Sequence, residues 1–508
     1  METRHIVTID LGTSKTTLTV AEVNGENVQV IYFRKVPSEG IRYSYVFNSR
    51  QVADTVSALV AEAEKDLQIK IRSAVVGMPR WSITKETAQA NFDISPEECI
   101  DEEDVNALKQ DALESYPLDD PENDELYGAI AQSFSNGDEI GLTEDDIIGV
   151  SSDKLSGDFN LFIGKKRRLS SIDVAFKRTG INVAMKVFTP EPTGKAVLTK
   201  GEMDNGVALI DLGGGVTTVS VYYRNILRHY ASIPFGGKSV TNDIKTECMI
   251  PEDMAEKIKT GYGGCMPDKL QTLSEKILQI RSNSDSNDIQ IPVKYLSEII
   301  TARMKEIFEA VLYEIQASGF ADNLRSGAVL IGGGAKLLNC GNWFKELSGY
   351  DAKTGIPRML FSTGDDKEFY ECDNVVSAGL LLAAKNSGIA DCYTDVRDAQ
   401  DEKTTEAETA GQKALGDGEN GATAEANYRH ETTEASDTRT AGSEEDNGGT
   451  VFDMTPEQKS AEEKKEKEKA QSQKKQTQKK SRIHISDWTK GVGKLFNDIF
   501  DDFGKESV

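Results

Sequence analysis

Two stretches of the chain set a carboxylate beside a run of small residues, in the same order. Residues 9–20 read Ile-Asp-Leu-Gly-Thr-Ser-Lys-Thr-Thr-Leu-Thr-Val and residues 210–221 read Ile-Asp-Leu-Gly-Gly-Gly-Val-Thr-Thr-Val-Ser-Val; seven of twelve positions are identical at an offset of 201 residues. In each copy an apolar run ends at an Asp (Asp10, Asp211), a small-residue turn follows, and a second strand-like run leaves it. A glycine-rich turn between strands exposes backbone N–H groups that cradle phosphate oxygens. On this pattern Gly12, Thr13, Ser14 and Lys15 meet the phosphates from one side, and Gly213, Gly214, Gly215 and Thr217 meet them from the other. Asp10 and Asp211 would hold a hydrated magnesium ion, which neutralises phosphate charge. The alternative is two ordinary hairpins with turn-capping Asp residues and a solvated Lys15.

The elements that must position these residues are legible nearby. Residues 28–36 pair with 15–23 through a hairpin at Asn24-Gly25. A helix follows with Val52, Val56, Leu59, Val60 and Ala63 on one face, then a short strand at 73–76. An acidic helix at 102–114 follows Ser95-Pro96-Glu97-Glu98, and a helix at 170–179 ends on Gly180. The strand–turn–strand theme returns at 207–233, and a largely helical stretch over 237–318 is interrupted near 281–294.

The duplicated Asp-x-Gly signature resembles the actin, sugar kinase and heat-shock ATPase superfamily, and three further segments agree. Ile331-Gly332-Gly333-Gly334-Ala335 follows an apolar run and opens an expected helix, where the superfamily has its adenosine motif. The resemblance implies that Gly332, Gly333 and Gly334 let the nucleoside approach the backbone. Pro190-Glu191-Pro192-Thr193-Gly194-Lys195-Ala196 stands at the first connecting motif, so Glu191 either orients the attacking water or is a surface turn residue. Residues 255–259 are similar to the segment that holds adenosine in bacterial actins. Glu256 and Lys259, three apart on one helix face, would hold ribose and adenine or form an exposed ion pair. Gly236-Gly237-Lys238-Ser239 mimics the end of a P-loop, but position 232 is Ser rather than the required Gly. Lys238 is read as a second-domain residue near the nucleotide. ATP and magnesium are the implied cofactors.

At 508 residues the chain holds two to four domains, and its net charge of −25 argues against nucleic acid as a partner. Six Cys without a C-x-x-C pair fit buried thiols in a reducing compartment. Met1-Glu2-Thr3-Arg4-His5 runs straight into a strand, so no signal peptide is expected. No stretch reaches the roughly 18 apolar residues that span a bilayer.

Composition changes near residue 391. Residues 391–463 carry 20 Asp/Glu against 6 Lys/Arg, and 474–482 carry five basic residues and no acid. Such a segment cannot bury enough apolar surface to fold, so 391–483 is expected to be a disordered linker. Beyond it Trp488, Val492, Leu495, Phe496, Ile499, Phe500 and Phe503 recur at helical spacing, over an arc of roughly 140°. An amphipathic helix over 484–508 would bury that stripe in a membrane surface, with attraction to anionic lipid coming from 474–482. Docking on the body or on a partner protein is the alternative.

An actin-like body, an acidic arm and a terminal amphipathic helix together resemble the bacterial cell-division family FtsA. The expected fold class is α/β: an actin-like duplicated ATPase fold of two facing α/β domains with inserted subdomains, then the arm and helix. The resemblance divides the body, 1–390, into a first nucleotide-facing subdomain (1–81 and 165–204) and an FtsA-type insertion (82–164). A second nucleotide-facing subdomain (205–236 and 305–360), a helical partner-binding subdomain (237–304) and a return to the first (361–390) complete it. It implies a cytoplasmic protein, peripheral on the inner face of the cell membrane at the division site. Its expected partners are the FtsZ C-terminal tail near Arg303 and Glu306, further copies of itself in filaments, and later division proteins through 82–164. Hydrolysis would be slow or incidental. The competing reading is a soluble ATPase or kinase whose terminal helix only localises it.

Overall fold

The computed structural model describes residues 3–95, 99–280, 289–364 and 367–395. The expected linker beyond 395 and the terminal helix, Trp488 to Phe503 included, lie outside the described residues.

Two sheets repeat one strand order. In the first, Asn182–Val187, Ser73–Gly77, Arg4–Leu11, Lys15–Asn24 and Asn27–Pro37 lie side by side, with Phe361–Ser362 added at the edge. In the second, Ala352–Thr354, Ala328–Ile331, Val207–Leu212, Thr217–Tyr223 and Ile226–Ile233 follow the same order. The Asp strand pairs antiparallel with its hairpin partner in both (Asp10 opposite Thr17, Asp211 opposite Thr218) and parallel with the strand on its other side. Residues Ile6 to Leu11 and Val207 to Leu212 are buried throughout, as strands covered on both faces must be, which explains their continuous apolar runs.

The helix Ser49–Leu67 buries Val52, Val56, Leu59, Val60 and Ala63, and Asn48 caps its start by accepting from the Arg50 and Gln51 amides. The helix Lys166–Thr179 begins four residues before the expected 170, because Leu169 joins Ile172, Ala175 and Phe176 on its buried face; it ends at left-handed Gly180. The region 82–164 forms its own four-stranded sheet, ordered Ile140–Leu142, Asp124–Ser135, Lys154–Lys165, Thr84–Asp93. The helix Glu102–Glu114 covers it through Val105, Leu108 and Ala112, in a core separate from those of the two larger sheets.

In the second half, helices Gly237–Cys248, Glu252–Tyr262 and Val293–Ala317 pack together. At the interruption read near 281–294 the chain forms an antiparallel pair, Ile277–Ile280 just before it with Ile289–Pro292 inside it, which buries Leu278, Ile280 and Ile291. The helix expected to open after Gly334 begins only at Cys340, after a 3-10 turn at Gly333–Lys336. The helix Val375–Asn386 lies against Pro190–Val197; a Cβ on Gly379 would come within 2.8 Å of the Thr193 amide nitrogen. No helix among the described residues is long and apolar enough to cross a membrane.

Candidate functional site

A cleft of about 420 Å³ opens between the two hairpin turns. Asp10, Gly12, Thr13, Ser14, Lys15, Asp211, Gly213, Gly214, Thr217, Glu256, Lys259 and Gly332 to Gly334 all line it. The two turns share one geometry. A Cβ on Gly12 would meet the Lys15 carbonyl oxygen at 2.6 Å, and one on Gly213 would meet the Val216 carbonyl oxygen at 2.6 Å. The turns also touch each other. A Cβ on Gly214 would sit 2.0 Å from Ser14 Oγ, and one on Gly215 would sit 2.7 Å from Thr13 Cγ2. Gly215 packs behind the lining rather than joining it.

Gly332 closes the second wall. Its φ of +85° lies in the region glycine favours, and a Cβ there would meet Asp211 Oδ1 at 2.3 Å. Lys259 is buried; its Nζ donates to the Gly237 carbonyl (2.9 Å), Thr241 Oγ1 (2.8 Å) and Glu256 Oε2 (2.7 Å). Burial pulls the Lys259 ammonium below its ordinary range, against the attraction of Glu256. Glu256 also accepts from Thr241, so its carboxylate is held although the side chain is half-exposed.

Lys15 is not a solvated strand residue. Its Nζ donates to Asp373 Oδ2 at 2.7 Å and to Asn374 Oδ1. Lys336, from the second half, reaches Asp373 Oδ1 and Glu371 Oε2 at 2.7 Å each, and Lys35 reaches Glu368 and Glu371. Burial alone would raise the Asp373 carboxyl, but Lys15 and Lys336 outweigh it and hold it well below the usual carboxylate range. This network ties both halves to residues 368–374, a segment the sequence reading did not single out.

The other unforeseen residue is Arg80. Its Nη1 donates to Asp211 Oδ2 at 2.9 Å, its Nη2 lies 3.7 Å from Asp10 Oδ1, and its Nε donates to Ser44 Oγ at 3.0 Å. Burial pushes the Asp211 carboxyl up, and the guanidinium pulls against that shift. The signal that could have found it is position: Gly77-Met78-Pro79-Arg80 ends the strand lying parallel to the Asp10 strand. The fit for a metal ion follows from this contact. The two carboxylates are oxygen ligands of the right type, but a fixed guanidinium already occupies the space between them and offsets one of their two charges. No group of three or more His, Cys, Asp or Glu side chains among the described residues could hold a metal. As arranged, the residues do not fit magnesium.

Three candidates stand apart. Glu191 lies in the helix Pro190–Val197 and does not line the cleft; burial raises its carboxyl, but the Lys195 ammonium at 2.7 Å outweighs that and lowers it. Lys238 is exposed, and its backbone amide, not its side chain, bonds the Gly214 carbonyl. Arg303 binds Asp243 through two hydrogen bonds (2.6 and 2.9 Å) and Glu306 at 2.6 Å, on the helix whose Met304 and Ile307 form an apolar wall of the cleft.

With this geometry in place, similarity to known proteins becomes informative. The family model described as cell division protein FtsA matches residues 208–378. The cell division protein FtsA of Neisseria meningitidis serogroup B is 29% identical over 364 residues, covering 71% of this chain and 86% of that protein. That of Bacillus subtilis is 28% identical over 387 residues, covering 75% and 86%. Among solved structures, a chain of the PilM-PilN type IV pilus biogenesis complex superimposes with a TM-score of 0.54 at 14% identity, covering 75% of this chain and 98% of that one. At that identity the likeness is one of fold, the actin-like ATPase fold.

Proposed function

Because the chain belongs to the FtsA family of cell-division proteins and has its actin-like fold, we propose that it binds ATP in the cleft, polymerises on the inner face of the cytoplasmic membrane at the division site, and tethers FtsZ there. The observation that carries the nucleotide part is the pair of matching glycine turns that line one cleft, the kind of turn whose backbone N–H groups cradle phosphate. Glu256 and Lys259 suit the ribose and base, the backbone at Gly332 to Gly334 suits the nucleoside, and Met304 and Ile307 offer an apolar surface to the purine. Lys238 stands at the rim. Glu191 would have to release Lys195 before it could orient a water, so turnover is slow or incidental. Magnesium enters no step here, because Arg80 holds the carboxylates expected to bind it.

A ligand that touches both turns favours the closed arrangement of the halves, and that arrangement is the one that would assemble into filaments. The FtsZ tail would dock on the second-half helices near Arg303 and Glu306. Later division proteins would dock on 82–164, where Ile140 is exposed on an edge strand. The helix 484–508 would anchor the assembly to anionic lipid.

The test is co-sedimentation of purified FtsZ with anionic vesicles in ATP, comparing the full chain with one ending at Ile483. Recruitment by the full chain only is the expected result. Vesicle binding that leaves FtsZ in solution would overturn the division role, and no vesicle binding would overturn the membrane role. Steady ATP turnover with a small acceptor would favour the kinase reading.

A further inference from the structure

Resting on the reading of the cleft as a nucleotide site, we propose that Arg80 takes the place of a divalent cation, so that the cleft binds the polyphosphate of ATP without a metal ion. Asp10 and Asp211 are both buried at the floor of the cleft. Two buried carboxylates need a positive charge, and a bound ion or a side chain can supply it. Here a side chain does, through the contacts to Asp211 and Asp10 and the Ser44 hydrogen bond.

The backbone that carries Arg80 is anchored as well. The Tyr230 hydroxyl donates to the Arg80 carbonyl at 3.2 Å, and Arg168 donates to the next carbonyl, that of Trp81, at 2.9 Å. Ser44 in turn donates its amide to Thr13 Oγ1 at 2.8 Å, which joins Arg80 to the first turn. Burial opposes the charge, yet the two carboxylates push the Arg80 pKa further up, so it stays cationic. A divalent ion between the same carboxylates would meet that charge at close range.

The duplication gives the residue a counterpart in the second half. Val76 lies opposite Ile9 as Leu330 lies opposite Ile210, so Arg80 and Gly334 fall at matching positions, four residues on, in the two halves. In the second half the loop brings glycines, 332 to 334, to the cleft; in the first it delivers a cation. Arg80 lines the same space as Gly12 to Lys15 and Gly213 to Gly214. Its planar fork binds phosphate oxygens as readily as carboxylates.

The experiment titrates the full chain with N-methylanthraniloyl-ATP, in excess magnesium and in excess EDTA, and repeats it with Arg80→Gln and Arg80→Lys. The native chain should hold the probe with a Kd that changes less than about threefold between the two conditions. Arg80→Gln should bind about tenfold more weakly in EDTA and recover in magnesium, with Arg80→Lys between the two. A native chain that loses about a hundredfold in EDTA overturns the proposal, whatever the variants do. Binding in neither condition overturns the reading of the cleft itself, and this inference with it.

Discussion

Gly214 and Ser14, 200 residues apart, are packed so closely that a single added carbon on Gly214 would lie 2.0 Å from Ser14 Oγ and 2.9 Å from Ser14 Cβ. The contact joins the phosphate-type turn of one half to that of the other. Gly214→Ala should part the turns and destabilise the chain by about 1–3 kcal/mol. Part of the clash comes from Oγ, so adding Ser14→Ala should recover some of the loss. Urea denaturation of the single and double variants measures this directly; a fully additive pair would mean that the turns are not in contact in solution.

Gly332 makes a sharper case, because conformation and space both exclude a side chain there. Gly332→Ala faces a φ of +85° together with contacts at 2.3 Å to Asp211 Oδ1 and 2.6 Å to the Leu212 carbonyl oxygen. A loss of about 2–4 kcal/mol is expected, with nucleotide affinity falling as Asp211 is displaced. An unchanged denaturation midpoint would count against the backbone placement.

The lysines around Asp373 predict a pH dependence whose sign is fixed. The folded-state carboxyl lies below its unfolded value, so its stabilisation is fully present above about pH 4, the ordinary unfolded value. It is lost as pH falls below that through the folded value. Asp373→Asn should cost about 1–3 kcal/mol at neutral pH, and the difference from the native chain should shrink below about pH 4. Denaturation midpoints recorded from neutral to acid pH read it; a difference that grows on acidification would reverse the sign.

Arg303 holds Asp243 and Glu306 on the second-half helices while its neighbours Met304 and Ile307 face the cleft. Arg303→Glu should reduce recruitment of FtsZ to vesicles by about tenfold and leave the chain's own vesicle binding unchanged, since the segment proposed to bind lipid, 484–508, is elsewhere in the sequence. Equal loss of both would point to a disturbed fold.

Glu191→Gln should change the affinity for N-methylanthraniloyl-ATP less than about twofold, because the carboxylate pairs with Lys195 and does not line the cleft. A large effect on binding would mean that the helix Pro190–Val197 moves when nucleotide enters.

Much of the fold was legible because its signals are local. The repeat at 9–20 and 210–221 marks the two hairpins. The apolar spacing of Val52 to Ala63 marks a helix, and Gly180 marks a helix end. The cleft was half legible for the same reason: the glycines and Asp residues announce a turn by their neighbours. Arg80 and Asp373 announce nothing locally. Arg80 is one cation in a loop, 131 residues from Asp211, and Asp373 is 358 residues from Lys15. Only the parallel pairing of the strand Ser73–Gly77 with the Asp10 strand brings the first to the site. Only the return of the chain at 361–375 brings the second. The start of the helix at Lys166 was missed because Leu169 continues a pattern that the preceding strand already fills.

At Gly379 the two helices approach so closely that no side chain fits between Gly379 and the Thr193 backbone, so neither could shift there without displacing the other. The helix Val375–Asn386 starts directly after Asp373 and Asn374, which grip Lys15. Together the two helices would act as a lever. A push on the Pro190–Val197 end would arrive at the Lys15 ammonium as a displacement of its two acceptors, which makes this proline-started helix mechanically continuous with the cleft.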